Sequence, residues 1–341
     1  MTLQERAGGS QWRRVLSLRA AVAAQSLTVR APLSARHVEF RLAIGERRGT
    51  VREVRIRPLQ LASAGDVNLG DVPGAQIKRH GAAWPWSSVG PTLRAADLAF
   101  ANLECAVSLR GTPQGKRYTF RGRPSSLRAA ATAGGLDVVN LANNHAVDYG
   151  RNALLDTLRT ARAAGIAAVG AGANAAQAYR PVVVRRLGLR VAFVGFSEIL
   201  PFEFRAGPGT PGTAWAFPGS VRSSVRSARR QADVVVATFH WGVERATTEN
   251  FRQRALTRLA LASGADAVIG AHPHVLQPVR RVGARRVVAY SLGNFVFGAH
   301  SAGTTTTRIL TLGLGADGVR TVRSTPAHIV GGRPILGRAA S

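Results

Sequence analysis

Six short apolar runs, each ending directly in polar residues, constrain this chain more than any other feature. Residues 59–64 lead into Gly65-Asp66-Val67-Asn68, 98–101 into Asn102-Leu103-Glu104, and 138–141 into the island Asn143-Asn144-His145. Farther on, 234–239 leads into His240-Trp241-Gly242-Val243-Glu244, 267–269 into His272-Pro273-His274, and 287–290 into Ser291-Leu292-Gly293-Asn294. Runs this short, apolar and often β-branched read as buried parallel strands, and helix-like stretches between several of them give the alternation of an α/β sheet covered on both faces. Ligands bind beyond the carboxyl ends of such strands, so the six islands are placed to build one site.

The connecting segments support this division. In 151–164, Leu154, Leu155, Leu158 and Ala161 fall at helical spacing, with Gly165 placed to follow the helix. Residues 220–231 read as a basic amphipathic helix and 252–263 as another, stopped at Gly264. The runs 182–184 and 189–196, joined through Gly188, predict a hairpin. The Gly/Pro-rich stretch 201–218 is too long for an ordinary connection and reads as a lid or an insertion beside the site. Loop 111–124 carries Lys116, Arg117, Arg121 and Arg123 around Tyr118 and Phe120, cations placed to meet a substrate anion or simply solvated.

A length of 341 residues suits one large α/β domain, taken as 56–330, with a tail at 331–341. Residues 1–55 read as a basic extension, either disordered or upstream of the true start. Their apolar patch at 15–27, broken by Arg19 and Gln25, is too short to span a membrane, and no clear signal peptide closes it. Compartment therefore stays open between cytoplasmic and membrane-associated. The single cysteine, Cys105, excludes an intrachain disulfide and a cysteine-rich zinc site. A net charge of +28 favours polyanionic partners. All but two of the 46 basic residues are scattered arginines, however, and no nucleic-acid motif accompanies them, so dedicated nucleic-acid binding is not expected.

The islands supply carboxylates, amides and imidazoles, the donors of a divalent-metal site. Two such ions a few Å apart clamp an oxyanion and make hydroxide available near neutral pH. Asp66, Glu104, Asn144, His240, His272 and His274 form that set; the last two, flanking Pro273 on an extended loop, are spaced to reach adjacent metals. Against this stand plainer roles, with Asp66 as a turn former and Asn143-Asn144 as a polar turn. An unpartnered Glu104 at the end of an apolar strand would be costly, which favours a cation partner.

At this point the chain resembles the CapA, or capsule-type poly-γ-glutamate synthesis, family of the calcineurin-like metallophosphoesterase superfamily. The resemblance runs from about 59 to 297 and rests on GDVNLG (65–70), ANLE (101–104), LANNHAVDYG (141–150), HWGVE (240–244), GAHPHVLQP (270–278) and YSLGNFVF (290–297). It implies a four-layer α/β/β/α sandwich with the metal site at the strand ends. Asp66 and His274 would hold the first metal, Glu104 would bridge, and Asn144, His240 and His272 would hold the second. His145 would act as general acid, oriented by Asp148, with Asn68, Asn143, Glu244 and Asn294 touching substrate or supporting the ligands. One or two divalent ions are implied, with manganese, zinc, iron and magnesium all compatible.

Asn68 stands where phosphoesterases of the superfamily have a histidine, and Glu104 where they have an aspartate. Both departures are shared by the CapA branch and put ordinary phosphatase activity in doubt. Three functions follow. The first is a metal-dependent hydrolase in the synthesis, export or processing of an anionic capsule polymer, alongside the capsule machinery. The second is a non-catalytic polymer-binding accessory, and the third a phosphodiesterase or nuclease.

Overall fold

The structure, a computed structural model, describes residues 1–7, 9–17, 37–299 and 301–337. The apolar runs form β1 (Leu59–Val67), β2 (Leu98–Leu103), β3 (Val138–Asn140) and β4 (Ala167–Val169), then the hairpin β5 (Val182–Arg186) and β6 (Leu189–Ser197). After these come β7 (Val234–His240), β8 (Ala267–Ala271), β9 (Val279–Val282), β10 (Arg286–Ala289) and β11 (Asn294–Val296), and finally β12 (Thr306–Gly315), β13 (Gly318–Val330) and β14 (Arg333–Leu336). They build an eight-stranded sheet of order β4-β3-β2-β1-β12-β13-β14, with β11 also pairing β1, and a six-stranded sheet of order β5-β6-β7-β8-β10-β9. Pairing is parallel from β1 to β4 and among β6, β7, β8 and β10. Sheet pairing continues past residue 330 through β14.

Strand parity produces the layers. Leu59, Leu61, Leu98 and Phe100 of the first sheet meet Val191, Phe193, Val234 and Val236 of the second in one buried cluster. Their neighbours in sequence point the other way. Ala62, Ala64, Ala99 and Ala101 pack with Leu127 of α2 (Pro124–Thr132) and Leu154 of α3 (Arg151–Ala163). Val235 and Ala237 pack with Val221 and Val225 of α4 (Pro218–Gln231) and with Leu256 and Ala260 of α5 (Phe251–Ser263). Successive strand residues face opposite sides, so strands apolar on both faces must be covered twice. Three apolar interlayers thus separate four layers, α/β/β/α, and each large side chain buried there contributes about 2 kcal/mol.

Helix ends follow local chemistry. Asn250 and Gln253 form a capping box at the start of α5, and Gly264 ends it at φ 113°. Within 1–55, Thr2–Ala7, Arg13–Ser17, His37–Ile44, Arg47–Arg48 and Arg52–Arg55 pair as a separate five-stranded antiparallel sheet. Most of the apolar patch at 15–27 lies outside the described residues. No helix among the described residues is long and apolar enough to cross a membrane.

Candidate metal centre

The parallel register brings the first islands side by side. Asp66 on β1 pairs with Asn102 on β2, which pairs with Asn140 on β3. Their side chains continue the ladder: Asn140 Nδ2 donates to Asn102 Oδ1 (2.9 Å) and Asn102 Nδ2 to Asp66 Oδ1 (2.8 Å). The same Asn102 amide lies 3.1 Å from His240 Nδ1 at the end of β7, joining the two sheets. Backbones approach closely here, with Asp66 N–H donating to Gly293 O at 2.9 Å. A Cβ on Gly65 would stand 1.8 Å from that oxygen, so the motif needs glycine at this crossing.

Glu104 sits at the centre, fully buried, and neither carboxylate oxygen has a hydrogen-bond partner among the described residues. Around it stand His240 Nε2 at 3.3 Å, His145 Nε2 at 3.9 Å and His274 Nε2 at 4.0 Å. His240 Nε2 also lies 2.8 Å from Asn144 Oδ1, and His274 Nδ1 is 3.5 Å from Asp66 Oδ2 and 2.8 Å from Asn294 Oδ1. His272 Nδ1 is buried without a partner, while its backbone N–H donates to Asp66 Oδ2 (3.2 Å). Two triads result, Asp66-Glu104-His240 and Glu104-His272-His274, each with its donor atoms within 4.8 Å of one another and both sharing Glu104. The expected extended loop is not what carries the last pair. His272 and His274 adopt φ 97° and 58°, a left-handed conformation costly for non-glycine residues that turns both rings toward Glu104.

Electrostatics reflect the burial. Desolvation, reinforced by Asp66, pushes the Glu104 carboxyl well above its usual range. Burial, with the neighbouring imidazoles adding to it, drives His240 and His272 well below theirs. For His274 burial acts downward, but Glu104 and Asp66 outweigh it and raise the ring to about 10. A buried carboxylate whose oxygens accept no hydrogen bond among the described residues, beside His240 and His272 rings that burial keeps neutral, is a donor set a divalent cation satisfies.

His145 stands beside this centre. Its Nδ1 lies 2.7 Å from Asp148 Oδ2, its ring stacks on Phe120 at 4.2 Å, and its backbone N–H donates to Asn143 Oδ1 (3.0 Å). Asp148 is fully buried, accepts from Phe120 N–H (2.6 Å) and pairs with Lys116, whose ammonium also donates to Asn144 O. Burial lowers the His145 pKa against the opposing pull of Asp148.

Asp66, Glu104, Asn144, His145, Asp148, His240, His272, His274 and Asn294 thus converge. Asn143 supports the group through Leu103 O (2.8 Å). Asn68 uses its Oδ1 to accept from Gly70 N–H (2.8 Å), closing the turn after β1. Glu244 stands apart: it is exposed and has no hydrogen bond or ion pair among the described residues, so it supports no histidine here. Trp241 belongs to the core, stacked on Phe239 (4.4 Å) and donating to Tyr290 O (2.9 Å). The amides of Asn102 and Asn140 received no role from the sequence. A signal was present for Asn102, since period two puts it on the same strand face as Glu104.

Residues 60–299 match the family described as bacterial capsule synthesis protein PGA_cap. The chain belongs to this family. The PGA biosynthesis protein CapA of Bacillus subtilis is 33% identical over 242 residues, covering 70% of this chain and 63% of that protein. The capsule biosynthesis protein CapA of Bacillus anthracis is 30% identical over 284 residues, covering 81% and 69%. The chain therefore spans about two thirds of the length of these curated relatives. Among solved structures, a 5'-nucleotidase precursor from Thermus thermophilus aligns over 82% of this chain and 54% of its own, at 16% identity and TM-score 0.45. The NAD nucleotidase of Haemophilus influenzae aligns over 80% and 56%, at 12% identity and TM-score 0.47.

Proposed function

We propose that this PGA_cap protein acts in the synthesis, export or processing of an anionic capsule polymer of the poly-γ-glutamate type, through a divalent-metal hydrolytic site. The observation that carries this reading is Glu104, buried with two unpartnered oxygens at the junction of two donor triads. Asp66, Glu104, Asn144, His240, His272 and His274 would hold one or two cations. Such an ion supplies Lewis acidity toward a substrate oxygen and makes hydroxide available near neutral pH. Asp148 holds His145 through Nδ1, so a proton exchanged with substrate passes through Nε2, the atom facing Glu104. The Lys116 ammonium balances Asp148, which leaves that carboxylate free to orient the ring rather than take its proton.

One observation favours the accessory alternative. Asn68 turns to the backbone of Gly70, which leaves the first metal one ligand short of the superfamily pattern and suits a centre that binds more than it cleaves. Elemental mass spectrometry of the purified chain decides first. One or two divalent ions per chain justify screening glutamyl amides and phosphoesters, with a His145→Ala variant as the catalytic control. No retained metal after manganese or zinc supplementation overturns the hydrolytic reading.

A further inference from the structure

Two segments border the His145 side of the centre, the loop 109–123 and the stretch 201–217. The loop is fastened to the turn beside His145: Gln114 N–H donates to Asp148 O (2.8 Å), and Phe120 N–H to the Asp148 carboxylate. It meets the second segment where the Lys116 ammonium lies 5.4 Å from the centre of the Phe204 ring. Exposed guanidiniums on both segments sit over aromatic faces: Arg121 over Tyr149 at 4.2 Å, Arg117 over Tyr118 at 5.1 Å and Arg205 over Phe202 at 3.9 Å. None of the three forms a hydrogen bond through its guanidinium or an ion pair among the described residues.

Two other arginines near the site are paired instead. Beside His240, Arg252 pairs with Glu198, and on β9 Arg280 pairs with Glu249 at 3.0 Å. Stacking on a ring restricts a guanidinium in advance and leaves its N–H edge turned outward, the arrangement that receives a carboxylate in two-point fashion. Three such groups on two segments that meet at Lys116 and Phe204 favour a chain of anions over a single one, because each bound carboxylate raises the effective concentration of the next.

We propose that Arg117, Arg121 and Arg205 form a rim subsite that binds successive carboxylates of an extended polycarboxylate chain and delivers it to the centre along the His145 side. This rests on the polymer reading of the preceding subsection. The test is binding of labelled polyglutamate to the intact chain, followed by fluorescence anisotropy. Wild type is compared with Arg117→Gln/Arg121→Gln/Arg205→Gln and with a control that removes the same charge from exposed helix positions, Arg162→Gln/Arg226→Gln/Arg258→Gln. Thermal melts verify that both variants fold.

The rim variant is expected to bind roughly tenfold or more weakly, and the control to change by less than about twofold. Short glutamate oligomers should show little dependence on the rim. Equal losses in the two variants would assign binding to overall charge and overturn the subsite. Absence of polyglutamate binding in a wild type that retains metal overturns the rim and leaves the metal centre standing. Rim-dependent binding by a chain that holds no metal overturns the hydrolytic reading alone.

Discussion

The two ends of the strands treat carboxylates in opposite ways. At the amino ends, Asp97, Asp137, Asp233 and Asp266 each stand one residue before a parallel strand and accept from a backbone N–H of the neighbouring strand, at 2.8 to 2.9 Å. Each also pairs with an arginine, Arg57, Arg186, Arg190 and Arg229 respectively. At the carboxyl ends, among the described residues, Glu104 has neither a backbone donor nor a guanidinium, and Asp66 receives amide and backbone hydrogens and faces the His274 ring at 3.5 Å rather than an arginine. Hydrogen bonding to the arginine holds Asp97 and Asp233 below their usual range, while burial drives Glu104 far above its own. A carboxylate balanced by the protein belongs to the architecture. One buried without a guanidinium or a hydrogen-bond donor, as Glu104 is among the described residues, suits a bound cation.

The sharpest way to break this contrast is His240→Ala/His272→Ala. Bound divalent metal, measured per chain by elemental mass spectrometry, should fall to background; retention would put the ion somewhere other than the carboxyl ends. Glu104→Gln should act in two directions. The metal-free variant should be more stable than metal-free wild type by about 1–3 kcal/mol in denaturant titrations at neutral pH, because a buried charge is gone. The rise in Tm expected of the wild type on adding manganese or zinc should vanish. Destabilisation of the metal-free variant would mean that pairing with the His274 ring outweighs the cost of burying Glu104.

A pH series sharpens the comparison further. His274 is raised to about 10 in the fold, so the stability it contributes is fully present below its unfolded value of about 6.5 and is lost as pH rises through about 10. Metal-free protein should therefore lose stability across that window, and His274→Asn should flatten the slope. His240 and His272, shifted the opposite way, weaken the fold as pH falls below about 6.5. The smallest effect belongs to the amino ends: Asp233→Asn should cost about 1–2 kcal/mol of stability and leave metal content unchanged.

Legibility in the sequence followed the range of the interactions. The strands, the helix stops at Gly165 and Gly264, and the polar islands are written locally, in apolar runs and the residues after them. The four-layer arrangement comes with the family resemblance, and the parity of Leu59, Ala62, Phe100 and Ala101 agrees with it. What depends on register between distant strands was hidden: the Asn140-Asn102-Asp66 ladder and the crossing that requires Gly65 beneath Gly293. Proximity in the chain misled at Glu244, where the turn after His240 carries the side chain out to solvent. The pairing of Thr2–Ala7 with His37–Ile44 also joins residues far apart in sequence, which a basic composition does not announce.

The candidate donors come from both sheets, Asp66 and Glu104 from one and His240, His272 and His274 from the other. An ion held among them would fasten the two halves of the sandwich at one end, as a rivet fastens two plates. The fold's resistance to opening would then depend on supply: at an ion concentration a hundredfold above the dissociation constant the gain is about 2.7 kcal/mol, and it fades as the ion is withdrawn. Starved of metal, the chain would lose more than a reactive centre, since proteases would find its sheets easier to part.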